Sequence, residues 1–297
     1  MNTDPVSLSP DQKATLVQKK ATCPFIGTAV ATGNLPVRND PNNPLASIDD
    51  VAKLGNSGGG DLGEVLKVFA QGNHAFMLGA AGKLDQPVPA GQFSLDFPGS
   101  QGSHPGHSGI LQGDPNVLGS GRFSDADFDR LVGRAKNGYV KRSDIGKFIA
   151  ENLVKDPGSK VFGAHVARLL ATDLGGFIGQ LGPSLLEKLG NETKGTRKSD
   201  EERKLFEALT KTLGEDNLVG SAGEFGLLLA FLANKPGTQK IDGEPAVLVA
   251  DLTAMFKEKK FPDGWETWPK TSKDWVTNTT GLILAAGKEY LRHKAHS

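Results

Sequence analysis

The chain has 297 residues, with 34 Lys+Arg against 34 Asp+Glu, so no charge excess points to nucleic acid or an anionic membrane surface. Its single cysteine, Cys23, excludes an intramolecular disulfide framework and any cysteine-cluster zinc site. No segment reaches the roughly 18 to 20 uninterrupted apolar residues of a membrane span, and the length is ample for a large core.

In chain order, residues 1–20 (MNTDPVSLSPDQKATLVQKK) form a polar N-terminal extension without the apolar run of a secretory signal. That favours an intracellular chain, with a processed secreted form as the alternative. Cys23-Pro24 then opens an apolar run, FIGTAVATG, long enough for about two helical turns. Proline favours the first helical position, so Cys23 is the predicted N-cap. A sulfur there faces free N–H groups and the positive end of the helix dipole, which favours a thiolate. Two readings stay open: an inert, buried small hydrophobe, or a thiolate used as nucleophile, redox sulfur or axial ligand to haem iron.

Glycine-rich loops follow at 56–61 and 98–109, and between them apolar residues recur at helical spacing. DLGEVLKVFAQGNHAFML predicts a helix with Leu62, Val65, Leu66, Val68 and Phe69 on one face. FSDADFDRLVGRA predicts a second, capped by Ser124, with Phe128, Leu131 and Val132 inward. SDIGKFIAENLVKD predicts a third from Ser143. KVFGAHVARLLATDLGGFIGQLG, PSLLEKLG, SDEERKLFEALTKTLG, SAGEFGLLLAFLANK, EPAVLVADLTAMFKEKK and TGLILAAGKEYLRHK also read as helices. Alternating β-branched or aromatic runs are nearly absent, so the expected fold is all-α, a single helical domain over residues 21–297. Two N-x-[ST] sequons, at Asn191 and Asn278, are weak pointers the other way on secretion.

Four blocks in order carry a resemblance. Cys23-Pro24, an apolar run, Gly33-Asn34-Leu35-Pro36 and Arg38-Asn39 resemble the P-C-P … L-P-R-N entry of the haem-thiolate peroxidases, the family of chloroperoxidase and the fungal unspecific peroxygenases; Thr22 replaces the first proline. GHSGILQGDP (106–115) falls where that family carries E-H-D-x-S-L-S-R-x-D. GRFSDADFDRLV (121–132) and MFKEKKFPDGW (255–265) are similar to its F-(N/D)-P-x-x-F-D helix and its F-F-x-E-E-R-L-P-x-x-G-W block.

The resemblance implies a chloroperoxidase-like helical fold enclosing haem b, with Cys23 as the axial iron ligand. It implies a peroxidase or peroxygenase, possible haloperoxidase activity included, that uses hydrogen peroxide to oxidise small hydrophobic organic molecules through compound I; some relatives serve secondary-metabolite pathways. Glu224, in SAGEFGLLLAFL, stands where the family places its acid–base carboxylate. By helix chemistry alone, Ser221-Ala222-Gly223-Glu224 is equally a capping box, with Glu224 bonded to the Ser221 backbone N–H. His107, or its neighbour His104, matches a histidine that orients the glutamate, the other reading being a solvated loop histidine. Ser108 is the remaining oxygen donor near a haem propionate. Gly106, His107 and Ser108 replace the family's acidic cation ligands, so the residues argue against a structural Mg2+ or Mn2+ unless Asp114 compensates. Phe25, Phe69, Phe76, Phe93, Phe97 and Phe225 are candidate pocket walls, Trp265 a packing anchor. The rivals are an enzyme of the same fold that rearranges or dehydrates its substrate without peroxide, and a non-enzymatic helical haem binder.

Overall fold

A computed structural model describes residues 4–39, 42–73, 76–78, 84–96, 110–113, 121–155 and 218–295. Helix α1 (Pro10–Lys19) begins at a capping box in which Ser9 Oγ accepts from the Gln12 N–H and Gln12 Oε1 accepts from the Ser9 N–H. Its Leu16 and Val17 are buried against α2 (Pro24–Ala31), whose apolar residues carry it into the core. After β1 (Leu45–Ser47), α3 (Ile48–Gly55) is capped by Ser47, and α4 (Gly63–Asn73) packs on it. Four short strands follow: β2 (Phe76–Leu78), β3 (Leu84–Pro87), β4 (Gln92–Ser94) and β5 (Leu111–Gln112).

Then come β6 (Arg122–Phe123), α5 (Asp125–Val132), β7 (Tyr139–Lys141) and α6 (Arg142–Lys155). Beyond residue 217 lie α7 (Leu218–Leu232), β8 (Ala246–Leu248), α8 (Val249–Thr253), a π-helical turn (Ala254–Glu258), a 3-10 turn (Trp265–Thr267) and the long α9 (Ser272–Ala295). The predicted Ser124 cap is present: its hydroxyl accepts from the Asp127 N–H at the start of α5.

Helix α9 lies along both α6 and α7. Glycines permit the approach: a Cβ at Gly146 of α6 would lie 2.6 Å from Ala285 Cβ, and one at Gly226 of α7 only 2.0 Å from Thr279 Oγ1. Asn278 is buried on α9, so the folded chain does not offer that sequon as a glycosylation acceptor.

The described residues are mostly helical, but the all-α expectation is too narrow. Among the described residues there are four two-stranded antiparallel sheets, pairing β1 with β4, β2 with β3, β5 with β6 and β7 with β8. Each strand has only two to four residues, too few to show a period of two against neighbouring helices. Two predicted helices are corrected accordingly. The segment from Asp61 turns from helix to strand after Asn73, and Ala246–Leu248 is a strand paired with Tyr139–Lys141. No helix among the described residues is long and apolar enough to cross a membrane.

Candidate functional site

Cys23 is the N-cap of α2 and Pro24 its first residue, as the Cys-Pro pair predicts. The sulfur lies on the wall of a cavity shared with Glu224. Helix α2 supplies Pro24, Phe25 and Ile26 beside Cys23; α4 supplies Leu66, Phe69 and Ala70; α7 supplies Leu227, Leu228 and Phe231 beside Glu224. Val51 and Met255 complete the lining, which is apolar apart from the thiol and the carboxyl. The cavity encloses about 50 Å3, room for a few waters.

Glu224 is 3% exposed on an otherwise apolar helix. The capping-box reading falls away, because α7 already runs from Leu218 and Ser221 is a buried residue inside it. A carboxyl of no use as a cap therefore sits in the core on the same cavity as the lone thiol.

The electrostatics depart from the sequence expectation at one point. Burial pushes the Cys23 thiol up to about 11; the backbone N–H groups of Ile26 and Phe25 pull it down, Glu224 pushes it further up, and Lys259 lowers it. The helix terminus acts in the expected direction, but desolvation outweighs it, so the thiol is neutral near pH 7 until a positive charge arrives. Lys259, in a left-handed conformation (φ 55°) at the end of the π-helical turn, feels the same burial and falls to about 8 despite the nearby Cys23.

Three of the four sequence blocks meet here. Thr28 Oγ1 of α2 donates to the Met255 carbonyl at 3.2 Å, tying the Cys23 helix to the 255–265 block. Phe256 of that block packs on Phe123 and Phe128 with ring centroids 6.3 and 5.6 Å apart, and Lys257 pairs with Asp125 at 2.8 Å. The 106–115 block lies outside the described residues apart from 110–113; His104, His107, Ser108 and Asp114 are among the residues left out.

Of the phenylalanines named above, Phe25 and Phe69 line the cavity. Phe93 is core on β4, Phe225 packs edge-on to Phe148 6.0 Å away, and Phe97 and the Phe76 side chain lie outside what is described. Phe231, not anticipated, does more: it stacks on Phe25 with centroids 4.6 Å apart. Behind it stand Trp265 and Trp268, the latter donating from Nε1 to the Phe231 carbonyl at 2.8 Å. The fully buried Lys270 ammonium lies over both indoles, 4.3 and 4.4 Å from the ring centroids, and donates to the Trp265 and Trp268 carbonyls and Ser57 Oγ.

No family model, curated protein or solved structure matches this chain. Among the described residues no three or more His, Cys, Asp or Glu side chains cluster in a way that could hold a metal ion; a haem iron held by one axial sulfur does not require such a cluster.

Proposed function

We propose that the chain is a haem-thiolate peroxidase or peroxygenase, with Cys23 as the axial ligand to haem b and Glu224 as the proton-handling group for hydrogen peroxide. Its substrates would be small hydrophobic organic molecules, in keeping with the apolar walls. One observation carries the reading: two groups that become anions, Cys23 and Glu224, are brought from distant parts of the chain to a single apolar cavity. Burial disfavours the thiolate form of Cys23 unless positive charge lies beside it.

The donor set suits a porphyrin iron, since Cys23 could hold it as a soft thiolate and Glu224 is a polar group lining the same cavity. The space is less accommodating. An enclosure of about 50 Å3 does not admit a flat macrocycle, so the walls must separate for it to enter. Bound there, the haem would supply the redox chemistry on peroxide. The chain's own contributions are simpler. Cys23 is held at a fixed helix start by Pro24. Glu224, on the wall of the same cavity, would take up and return the peroxide proton at its carboxyl. Phe25, Phe69 and Phe231 give the cavity aromatic, apolar walls.

The small volume favours one rival, a thiol that is merely a core hydrophobe. Comparing Glu224→Gln with wild type after haem reconstitution separates the two. Loss of peroxide-driven turnover of a small aromatic substrate, with the thiolate-type absorption spectrum intact, is the expected result. Equal turnover in the variant would remove Glu224 from the mechanism, and failure of wild type to take up haem would leave the core-hydrophobe reading.

A further inference from the structure

A second, larger cavity has no part in the reading above. It is an open groove of about 900 Å3 between α1, α2, β6 and the π-helical turn, within the range of about 300 to 1,000 Å3 that small-molecule sites occupy. Leu8, Val17 and Phe123 give it apolar walls. Four cationic side chains line it, and they differ in what neutralises them. Lys257 is paired with Asp125 and Asp129 at 2.8 and 3.3 Å. The Arg122 guanidinium donates to the carbonyls of Lys19 and Gly121 at 3.0 and 2.7 Å. Lys13 and Lys259 have no hydrogen-bond or ion-pair partner among the described residues.

Lys259 is the more telling of the two. It holds a left-handed backbone conformation at a helix end, where glycine is the unstrained choice, and its aliphatic stem runs beside α2, 3.6 Å from the position a Cβ would take on Gly27. A strained, half-buried ammonium with no carboxylate paired to it among the described residues is costly by itself and would be relieved by an anion in the groove. Gln18, Thr22 and Asp125, the last paired with Lys257, also line the groove; a tail laid along the apolar residues would be taken out of water.

We propose that this groove binds a free anionic amphiphile, its carboxylate paired with Lys13 and Lys259 and its tail along Leu8, Val17 and Phe123. A carboxylate suits the site better than a phosphate, because the planar fork that favours phosphate belongs to Arg122, whose Nη1 already donates to two backbone carbonyls. The groove is a separate cavity from that of Cys23, although Lys259 lies close enough to lower the thiol, and the proposal does not rest on haem binding.

The test is fluorescence titration of the full chain with dansyl-undecanoic acid, with dodecanoate, methyl dodecanoate, dodecylamine and inorganic phosphate as competitors. Displacement by dodecanoate alone is expected, with affinity at least tenfold weaker in the double variant Lys13→Gln, Lys259→Gln and kept in Lys13→Arg, Lys259→Arg. Ala14→Trp, on the exposed side of α1 where it lines the groove, is expected to abolish binding with an unchanged circular dichroism spectrum. Equal competition by the ester, the amine or phosphate would overturn the proposal. So would probe affinity untouched by the paired Lys→Gln change, which would place the probe away from these lysines, or co-sedimentation with phosphatidylglycerol vesicles as tight as dodecanoate binding, which would make the groove a membrane contact.

Discussion

Lys270→Met tests whether the indole-flanked lysine holds the aromatic wall behind the cavity. The ammonium is fully buried, lies over Trp265 and Trp268, and donates to two buried carbonyls and Ser57 Oγ. Its removal leaves the two carbonyls without that partner, at about 1 to 3 kcal/mol each, and forfeits two ring contacts worth about 1 kcal/mol each. Against this, burial holds the ammonium down from 10.5 to about 8, led by desolvation and opposed by Glu266. That drop amounts to about 3 kcal/mol of penalty at neutral pH, which the variant escapes. The net expectation is a loss of about 1 to 5 kcal/mol at pH 7, read by urea unfolding followed through tryptophan fluorescence. The pH dependence is the sharper check. Between pH 8 and 10.5 the unfolded chain holds the Lys270 proton and the folded chain has released it, so wild-type stability rises with pH across that window through this group. The methionine variant lacks that rise. The gap between the two proteins is therefore expected to widen by up to about 3 kcal/mol from pH 8 to 10.5. A gap that stays constant or narrows would refute the buried-ammonium account.

Lys20→Met strands Asp96, a fully buried carboxylate paired with Lys20 at 3.0 Å, and is expected to cost about 3 to 5 kcal/mol at neutral pH by urea unfolding. Burial already raises Asp96 despite Lys20 and Arg122, so the folded chain binds that proton more tightly and the loss is expected to shrink as pH falls toward the carboxylate range. Gly226→Ala drives a methyl to within 2.0 Å of Thr279 Oγ1 and is expected to lower the unfolding midpoint by the equivalent of about 1 to 3 kcal/mol as α7 moves off α9. Phe231→Ala removes the ring stacked on Phe25 and packed on Trp265, with an expected cost of about 3 to 5 kcal/mol in the same assay.

What could be read ahead of the fold is what depends on near neighbours. Proline after Cys23 and serine before Asp125 mark helix starts through backbone chemistry that needs no tertiary partner, and both starts are where they were expected. Strand pairing is different, because Ala246–Leu248 becomes a strand only through Tyr139–Lys141, a hundred residues away; alone, its apolar residues match a helix equally well. Ser221 shows the same limit. It has the form of a cap, yet the helix begins earlier, at Leu218. The ionisation of the thiol is not legible in the sequence, because dipole and N–H effects are local, whereas the desolvation that outweighs them comes from the residues of α4, α7 and Met255 that line the cavity with Cys23. Lys259 and Lys270 carry no mark in the sequence that would separate them from any surface lysine.

The central claim is that Cys23 sulfur binds a haem iron, and haem titration of the purified chain tests it most directly. The account predicts one haem per chain, a ferrous carbon monoxide adduct with the red-shifted Soret band of thiolate ligation, and loss of that band in Cys23→Ala. No saturable uptake by wild type, or the same spectrum with and without the sulfur, would contradict it.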